Sequence, residues 1–161
     1  MRRLLALAAV VAGTFQFVVA CDPLDPSPPL DGRTFLSVSV TESGSDRPLV
    51  PGTGIRLSFG DARLVASAGC NTLGGTYRLV DGRLVTDGLA TTDIGCDGPR
   101  HAQDEWLASV LAGGPIVRLS DDALELDSGS VVIRFVDREV ADADVPLLGA
   151  SVRHLALSDP A

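Results

Sequence analysis

Apolar and polar residues alternate with period two along Thr34–Thr41 (TFLSVSVT). Phe35, Ser37 and Ser39 fall on one face, and Leu36, Val38 and Val40 on the other. This pattern predicts a half-buried strand. Glu42–Gly54 is rich in Gly, Ser, Asp and Pro and reads as a loop. Ile55–Phe59 alternates again, Gly60-Asp61 turns the chain, and Ala62–Ala68 completes a hairpin. Gly75–Val80 and Arg83–Thr86 flank Asp81-Gly82, a short-range hairpin signal. Ile116–Leu119, Ala123–Leu126 and Val131–Val136 are three further strands, with Asp121-Asp122 and Asp127–Ser130 as their turns.

One segment has helical spacing, Pro99–Ala112. Pro99 suits the first helical position, Asp97 or Gly98 precedes it, and Gly113-Gly114-Pro115 ends it. Gln103, Trp106, Leu107, Val110 and Leu111 form its stripe, with Trp106 as a core anchor. Asp104 and Glu105 complement the helix dipole. His101, near Asp97, Asp104 and Glu105, is assigned to a solvated face. Many short strands in meander order with one late helix predict an α+β domain. Its small, strongly curved antiparallel sheet, half-open and barrel-like, packs on that helix.

The chain before this body has a different character. Met1-Arg2-Arg3 is a positive n-region, Leu4–Gly13 is an apolar run, and Val18-Val19-Ala20-Cys21 resembles a lipobox. Residues 1–20 therefore read as a lipoprotein signal peptide and Cys21 as the lipidation site. Two or three acyl chains on Cys21 make a stable membrane anchor. Residues 21–29 hold four prolines within a span of seven and form an extended tether. The expected location is the extracytoplasmic face of a cell membrane.

Composition narrows the partners. The 161 residues carry 13 basic and 21 acidic side chains, a net charge of −8, and every basic residue is arginine. A surface this acidic repels phosphate, which argues against nucleic acid. An all-arginine basic set with abundant Ala, Val and Gly also points to a GC-rich genome, such as an actinobacterial one.

With Cys21 lipidated, Cys70 and Cys96 remain. Outside the cytoplasm an even remainder suggests a disulfide, whose loop-closure effect is about 3–4 kcal/mol. Two alternatives stay open. One is a zinc site of Cys70, Cys96, His101 and either His154 or a carboxylate. The other is a reactive thiol pair. No CxxC spacing is present, so no metal or cofactor is assigned.

Ala68-Gly69-Cys70-Asn71-Thr72-Leu73-Gly74-Gly75-Thr76-Tyr77 resembles the GCN-x-x-x-G-x-Y core of the META domain, the family of HslJ-like heat-shock proteins. Leu89-Ala-Thr-Thr-Asp-Ile-Gly-Cys96 is similar to the family's L-x-x-T-x-x-x-C segment. The helix with Glu105-Trp106-Leu107 and the strands around Leu124–Leu126 and Val132–Phe135 continue the likeness. Leu30–Phe35 resembles the opening L-x-G-x-x-W, with Phe35 in place of Trp. The META domain is thus assigned to residues 30–138. The resemblance implies a curved sheet with a helix, an envelope or secreted setting, and a loose link to stress response. It implies no enzyme activity.

Gly69, Gly74 and Gly75 are expected to allow backbone angles or close approaches that side chains block. Asn71 is expected to bond the backbone of its own turn, and Thr91, Thr92 and Asp93 to do the same before the second cysteine. Together with the cysteines they form a stapled corner, and a candidate binding corner. Residues 139–161 read as a linker (Arg138–Asp144) and a possible remnant of a second META repeat, because Pro146–Val152 echoes Pro29–Phe35. No GxSxG, phosphate loop or HExxH occurs, and no catalytic residue is assigned. The expected function is a non-catalytic envelope lipoprotein serving as a binding or interaction module for an unknown envelope protein. The alternative is a carrier of a lipid or other small apolar ligand.

Overall fold

The computed structural model describes residues 29–143. The leader, Cys21 and nearly all of the tether lie outside these residues, as does the C-terminal echo. In chain order the elements are β1 (Thr34–Glu42), β2 (Ser45–Asp46), β3 (Arg56–Gly60), β4 (Arg63–Ser67), β5 (Thr72–Val80) and β6 (Arg83–Thr91). They continue with α1 (Gly98–Ala112), β7 (Ile116–Ser120), β8 (Ala123–Asp127), β9 (Val131–Asp137) and α2 (Arg138–Ala143). All neighbouring strands pair antiparallel in the order β2-β1-β3-β4-β5-β6-β7-β8-β9. A β1–β9 pairing closes eight of them into a barrel, with β2 as a short flap on β1. The α+β class and the curved sheet on a helix are as the sequence implies.

Closure depends on a bulge. Ser37 faces Phe135 and Ser39 faces Arg134, so Val38 is an extra residue in β1. The extra residue bends the strand and swaps its faces. Phe35 and Val40 are both buried despite opposite parity, and Val38 is 65% exposed. The strict alternation expected for Thr34–Thr41 therefore fails at its midpoint. A small barrel needs that local bend to bring its first strand beside its last.

The interior is filled. Phe35, Leu57, Phe59, Leu64, Tyr77, Leu84, Leu124, Ile133 and Phe135 converge from the strands, and α1 adds Leu107, Val110 and Leu111. Phe59 makes edge-on contacts with Phe35 at 6.1 Å and with Tyr77 at 5.0 Å between ring centroids. Such aromatic pairs add to simple area burial.

The seam between β6 and β7 is narrow. One residue pair, Arg83 with Ile116, spans it, beside Leu84 N–H to Pro115 O at 2.9 Å and Val117 N–H to Gly82 O at 2.8 Å. Beyond that point the strands part and α1 packs on β6. There the Thr86 hydroxyl donates to Leu111 O at 3.3 Å. The long β6–β7 connection makes this arrangement, because α1 is inserted within it.

One end of the barrel, here the lower, holds the β3–β4, β5–β6 and β7–β8 turns and the segment entering β1. Leu30 is fully buried there, and Gly32 N–H donates to Phe59 O at 2.8 Å. Arg33 clasps the same end. Its Nε donates to Asp137 Oδ2 at 2.7 Å and its Nη2 to Asp121 O at 2.7 Å. Burial, first, raises the Tyr77 phenol to about 12, and the negative charge of nearby Asp31 adds to it.

Three corrections to the sequence reading follow. The loop expected at Glu42–Gly54 contains β2 and a tight turn through Ser43 and Gly44, at φ 50° and 79°. Thr86 does not end β6, which runs on to Thr91. Arg138–Asp144 is not only a linker, because Arg138–Ala143 is a helical turn resting on β1 and β9. Its first residues continue directly from β9, and Glu139 N–H is capped by Asp137 Oδ1 at 3.0 Å.

Two predictions come from this architecture. Asp61 and Ala62 both hold positive φ, 51° and 56°, in a two-residue hairpin loop of type I′. Alanine is strained there by about 1 kcal/mol, so Ala62→Gly raises the thermal midpoint by about 4 °C. An unchanged or lower melting temperature contradicts this turn geometry.

The second concerns Asp137. Burial pushes its carboxyl up, but Glu139 N–H, the Arg33 hydrogen bond and the charges of Arg33 and Arg138 together hold it below the ordinary 3.8. A depressed carboxylate stabilises the fold above its unfolded pKa, and that contribution is lost as pH falls through the folded value. Asp137→Asn therefore lowers stability at neutral pH by about 1–3 kcal/mol. It also flattens the loss of stability below about pH 4, read by urea unfolding at stepped pH.

Candidate functional site

The upper end gathers the β4–β5 connection, the segment from Thr92 to Asp97, the Arg47–Ile55 loop and the start of α1. Asn71 organises it. The residue is 3% exposed, and its side chain bridges strands and loop. Asn71 Oδ1 accepts from Ile94 N–H at 2.9 Å and from the Thr92 hydroxyl at 3.1 Å. The Thr92 Oγ1 in turn accepts from Thr72 N–H at 3.0 Å. Both side chains thus serve backbone 23 and 20 residues away across the corner, and not that of their own turns as the sequence reading expects.

The helix supplies the other half. Asp97 caps it, with Oδ1 accepting from Arg100 N–H at 3.1 Å. Gln103 and Asp104 are buried, an unusual fate for such residues unless they are paired. Gln103 Oε1 accepts from Val50 N–H at 2.7 Å. Its Nε2 donates to Thr53 Oγ1 at 2.9 Å and to the Ala68 carbonyl. Asp104 Oδ2 accepts from Asn71 N–H at 2.7 Å. Two adjacent helical side chains thereby hold two loops, the Arg47–Ile55 loop and the β4–β5 connection, whose backbone groups lie outside the ladders.

Cys70 and Cys96 form a disulfide with Cα atoms 6.4 Å apart. The bond ties the start of β5 to the segment entering α1. A zinc site needs two free thiolates, whereas the two sulfurs are bonded to each other here. His101 is half-buried rather than on a solvated face. Its Nε2 accepts from Cys96 N–H at 3.3 Å, and its Nδ1 faces Asn71 Nδ2 at 3.4 Å. The Asn71 amide is oriented by the two donors on its oxygen. A neutral imidazole has one lone pair, so it serves one of the two facing donors at a time.

The glycines divide. Gly69 has φ +146°, and a Cβ there lies 2.7 Å from Thr53 Cγ2. Gly75 sits opposite a bulge in β6, and a Cβ on it lies 2.8 Å from Asp87 O. Gly74 has neither constraint; the space around it is open. The expectation that all three permit close approach or special angles therefore fails at Gly74.

Between α1 and the end of β6 lies a cleft of about 280 Å³. Leu73 and Ala108 form apolar walls. Asn71, His101 and Asp104 line it, and exposed Asp93 and Glu105 flank it. Sequence reasoning placed Asn71 and Thr92 here but missed Asp104, which it assigned to the helix dipole. The available signal was its position beside Gln103 on the apolar stripe. Trp106, expected as a core anchor, is half-buried at the core's margin. The Arg47 guanidinium lies over its ring at 4.2 Å, and Trp106 Nε1 donates to Glu42 Oε1 at 3.3 Å.

Substitution of the glycines tests this division. Gly69→Ala forces Thr53 aside and strains the backbone, costing about 2 kcal/mol in chemical denaturation. Gly74→Ala changes stability by less than about 0.5 kcal/mol, or raises it slightly. Equal effects at the two positions contradict the geometry of the corner.

Comparison with known proteins bears on the whole arrangement. The described fold is similar to an NMR structure of a protein from Burkholderia xenovorans, with TM-score 0.57 and 21% identity over 80% of this chain and 98% of that one. It is also similar to a crystal structure of a DUF4847 family protein from Bacteroides vulgatus, with TM-score 0.51 and 13% identity over 67% and 94% of the two chains. At these identities the likeness concerns the fold alone. No curated protein matches the chain. A family model does match it, the META domain, over residues 28–139, which takes in the barrel, the disulfide corner and the helix. The chain belongs to the META domain family.

Proposed function

We propose that this protein is a non-catalytic, lipid-anchored module of the cell envelope that offers the upper end of its barrel to a partner, in the setting of envelope stress. The observation that carries this reading is the polarity of the barrel. The chain enters at the lower end, where Leu30 is buried and Arg33 is clasped to Asp137. The cleft and the stapled corner lie at the opposite end. An anchor on Cys21 therefore attaches below, and the corner faces away from the membrane.

The tether adds reach. Eight residues separate Cys21 from Leu30, and four of them are prolines, a composition that favours reach over compaction. The turns at the lower end carry Asp61, Asp81, Asp121 and Asp122. Their charge repels anionic headgroups and favours a lifted domain. The filled interior supports the interaction module over the apolar carrier, since Phe35, Phe59, Tyr77 and Phe135 occupy the space a lipid tail needs.

Site-specific photocrosslinking in native envelope membranes tests the reading. Ile94, beside the cleft, is 51% exposed, and Val80, by a lower turn, is 42% exposed. A photoreactive residue at position 94 is expected to capture a discrete protein, and one at position 80 is not. Equal capture at both positions, or capture of lipid at position 94, overturns it. Cys21→Ala is expected to release the protein from the membrane fraction.

A further inference from the structure

The segment from Thr92 to Asp97 is held with little help from the core. It lies between β6 and α1, and every residue in it except Cys96 is exposed. Polar contacts and the disulfide therefore decide its order, which places it among the parts of a fold that open most easily. Asn71 Oδ1 holds Ile94 N–H and the Thr92 hydroxyl, and His101 Nε2 holds Cys96 N–H.

These contacts meet at the His101 ring. Its Nε2 lies 3.3 Å from the Cys96 nitrogen, and its Nδ1 lies 3.4 Å from Asn71 Nδ2. Both neighbours are donors, because Asn71 Oδ1 is turned toward Ile94 and Thr92. A neutral ring accepts from one of them with its single lone pair. A charged ring has no lone pair and carries an N–H on each nitrogen. It then sets donor against donor on both sides of a half-buried ring.

Two movements relieve that conflict. The Asn71 amide turns over, so that its oxygen accepts from Nδ1–H, and Ile94 and Thr92 lose their acceptor. Alternatively the ring swings toward Asp93 and Glu105, which share its cleft, and Cys96 N–H loses its acceptor. Either movement releases the segment. The disulfide limits its travel, since Cys96 stays joined to Cys70. Asp104, bonded to Asn71 N–H, also lines the cleft, and Asp97 at the helix start is paired with Arg100 at 3.2 Å. These acids draw a proton to the ring whether the segment is held or released. The two facing donors therefore set the sign: the held form favours the neutral ring, and falling pH favours release.

We propose that His101 is a proton-operated latch on the Thr92–Asp97 segment. The neutral ring keeps the upper corner closed, and the charged ring opens it. Histidine is the side chain that changes charge between about pH 5 and pH 8. What the latch controls rests on the reading of the upper corner as the contact surface. A partner meets an ordered corner at neutral pH and a loosened one in mild acid.

The test is NMR on the full chain in zwitterionic micelles, with His154→Gln so that His101 is the one remaining histidine. Ring carbon shifts report its charge, the Asn71 side-chain amide reports turnover, and hydrogen exchange reports the protection of Ile94 and Cys96 N–H. Between about pH 8 and pH 5 all three are expected to change together. Protection falls by up to about tenfold per pH unit, the limit for one coupled proton. Barrel amides such as Leu64 and Ile133 are expected to keep theirs. His101→Gln, which retains an acceptor and takes up no proton in this range, is expected to abolish the pH dependence.

Charging of the ring without loss of protection overturns the proposal, as does an equal pH response in His101→Gln or parallel loosening of the barrel. Should His101→Gln not fold, the titration of the parent chain decides alone. Crosslinking from position 94 at both ends of the range separates the two readings. A corner that opens in acid with no capture at either pH removes the contact surface and leaves the latch. Capture together with unchanged protection removes the latch and leaves the interaction module standing.

Discussion

Pairing of the first strand with the last turns a meander into a barrel, and every other feature of the molecule depends on it. Seven residue pairs join β1 to β9 across about a hundred residues of chain. Such long-range pairing is entropically slow to form, and it gains stability only when the sheet can bend enough to meet itself. The extra residue at Val38 provides the bend. The Arg33–Asp137 clasp then holds the lower margin of the same junction. Once the junction is closed, the inward faces have a common interior, and Leu30 has an end to plug.

The upper end meets a different physical demand. Loops that leave a barrel carry backbone groups with no ladder partner. Here the helix serves them through side chains, which explains why Gln103 and Asp104 are buried on an otherwise apolar stripe. Asn71 extends the network into the segment that leads to Cys96, and the disulfide ties that segment covalently to the start of β5. Loop closure of this length contributes about 3–4 kcal/mol, so the corner is held by polar satisfaction and by a covalent tie together. A rigid corner suits recognition, because little ordering remains to be done when a partner arrives.

These two ends give the module its direction. The lower end is compact, acidic at its turns and joined to the N-terminal segment. The upper end carries a cleft with apolar walls and the exposed acids Asp93 and Glu105 beside it. Neither acid is part of the core.

Much of this was legible in the sequence. Period-two alternation marked most of the barrel strands, Asp81-Gly82 marked a hairpin, and Pro99 with the glycines after Ala112 bounded the helix. The GCN segment and the cysteine that follows it identified the family, and the count of cysteines left beside Cys21 suggested their pairing, because both depend on residue type and spacing along the chain. Closure, the bulge at Val38 and the fate of Gln103, Asp104 and His101 were decided only by tertiary structure. Each of these depends on which distant group lies opposite, and local pattern carries no record of that. Asp104 reads as a dipole-complementing surface acid until Asn71 arrives from 33 residues away to hydrogen-bond it. The chain alone specifies which segments become strands and helix; their mutual approach determines which polar side chains are buried, and so where the candidate site lies.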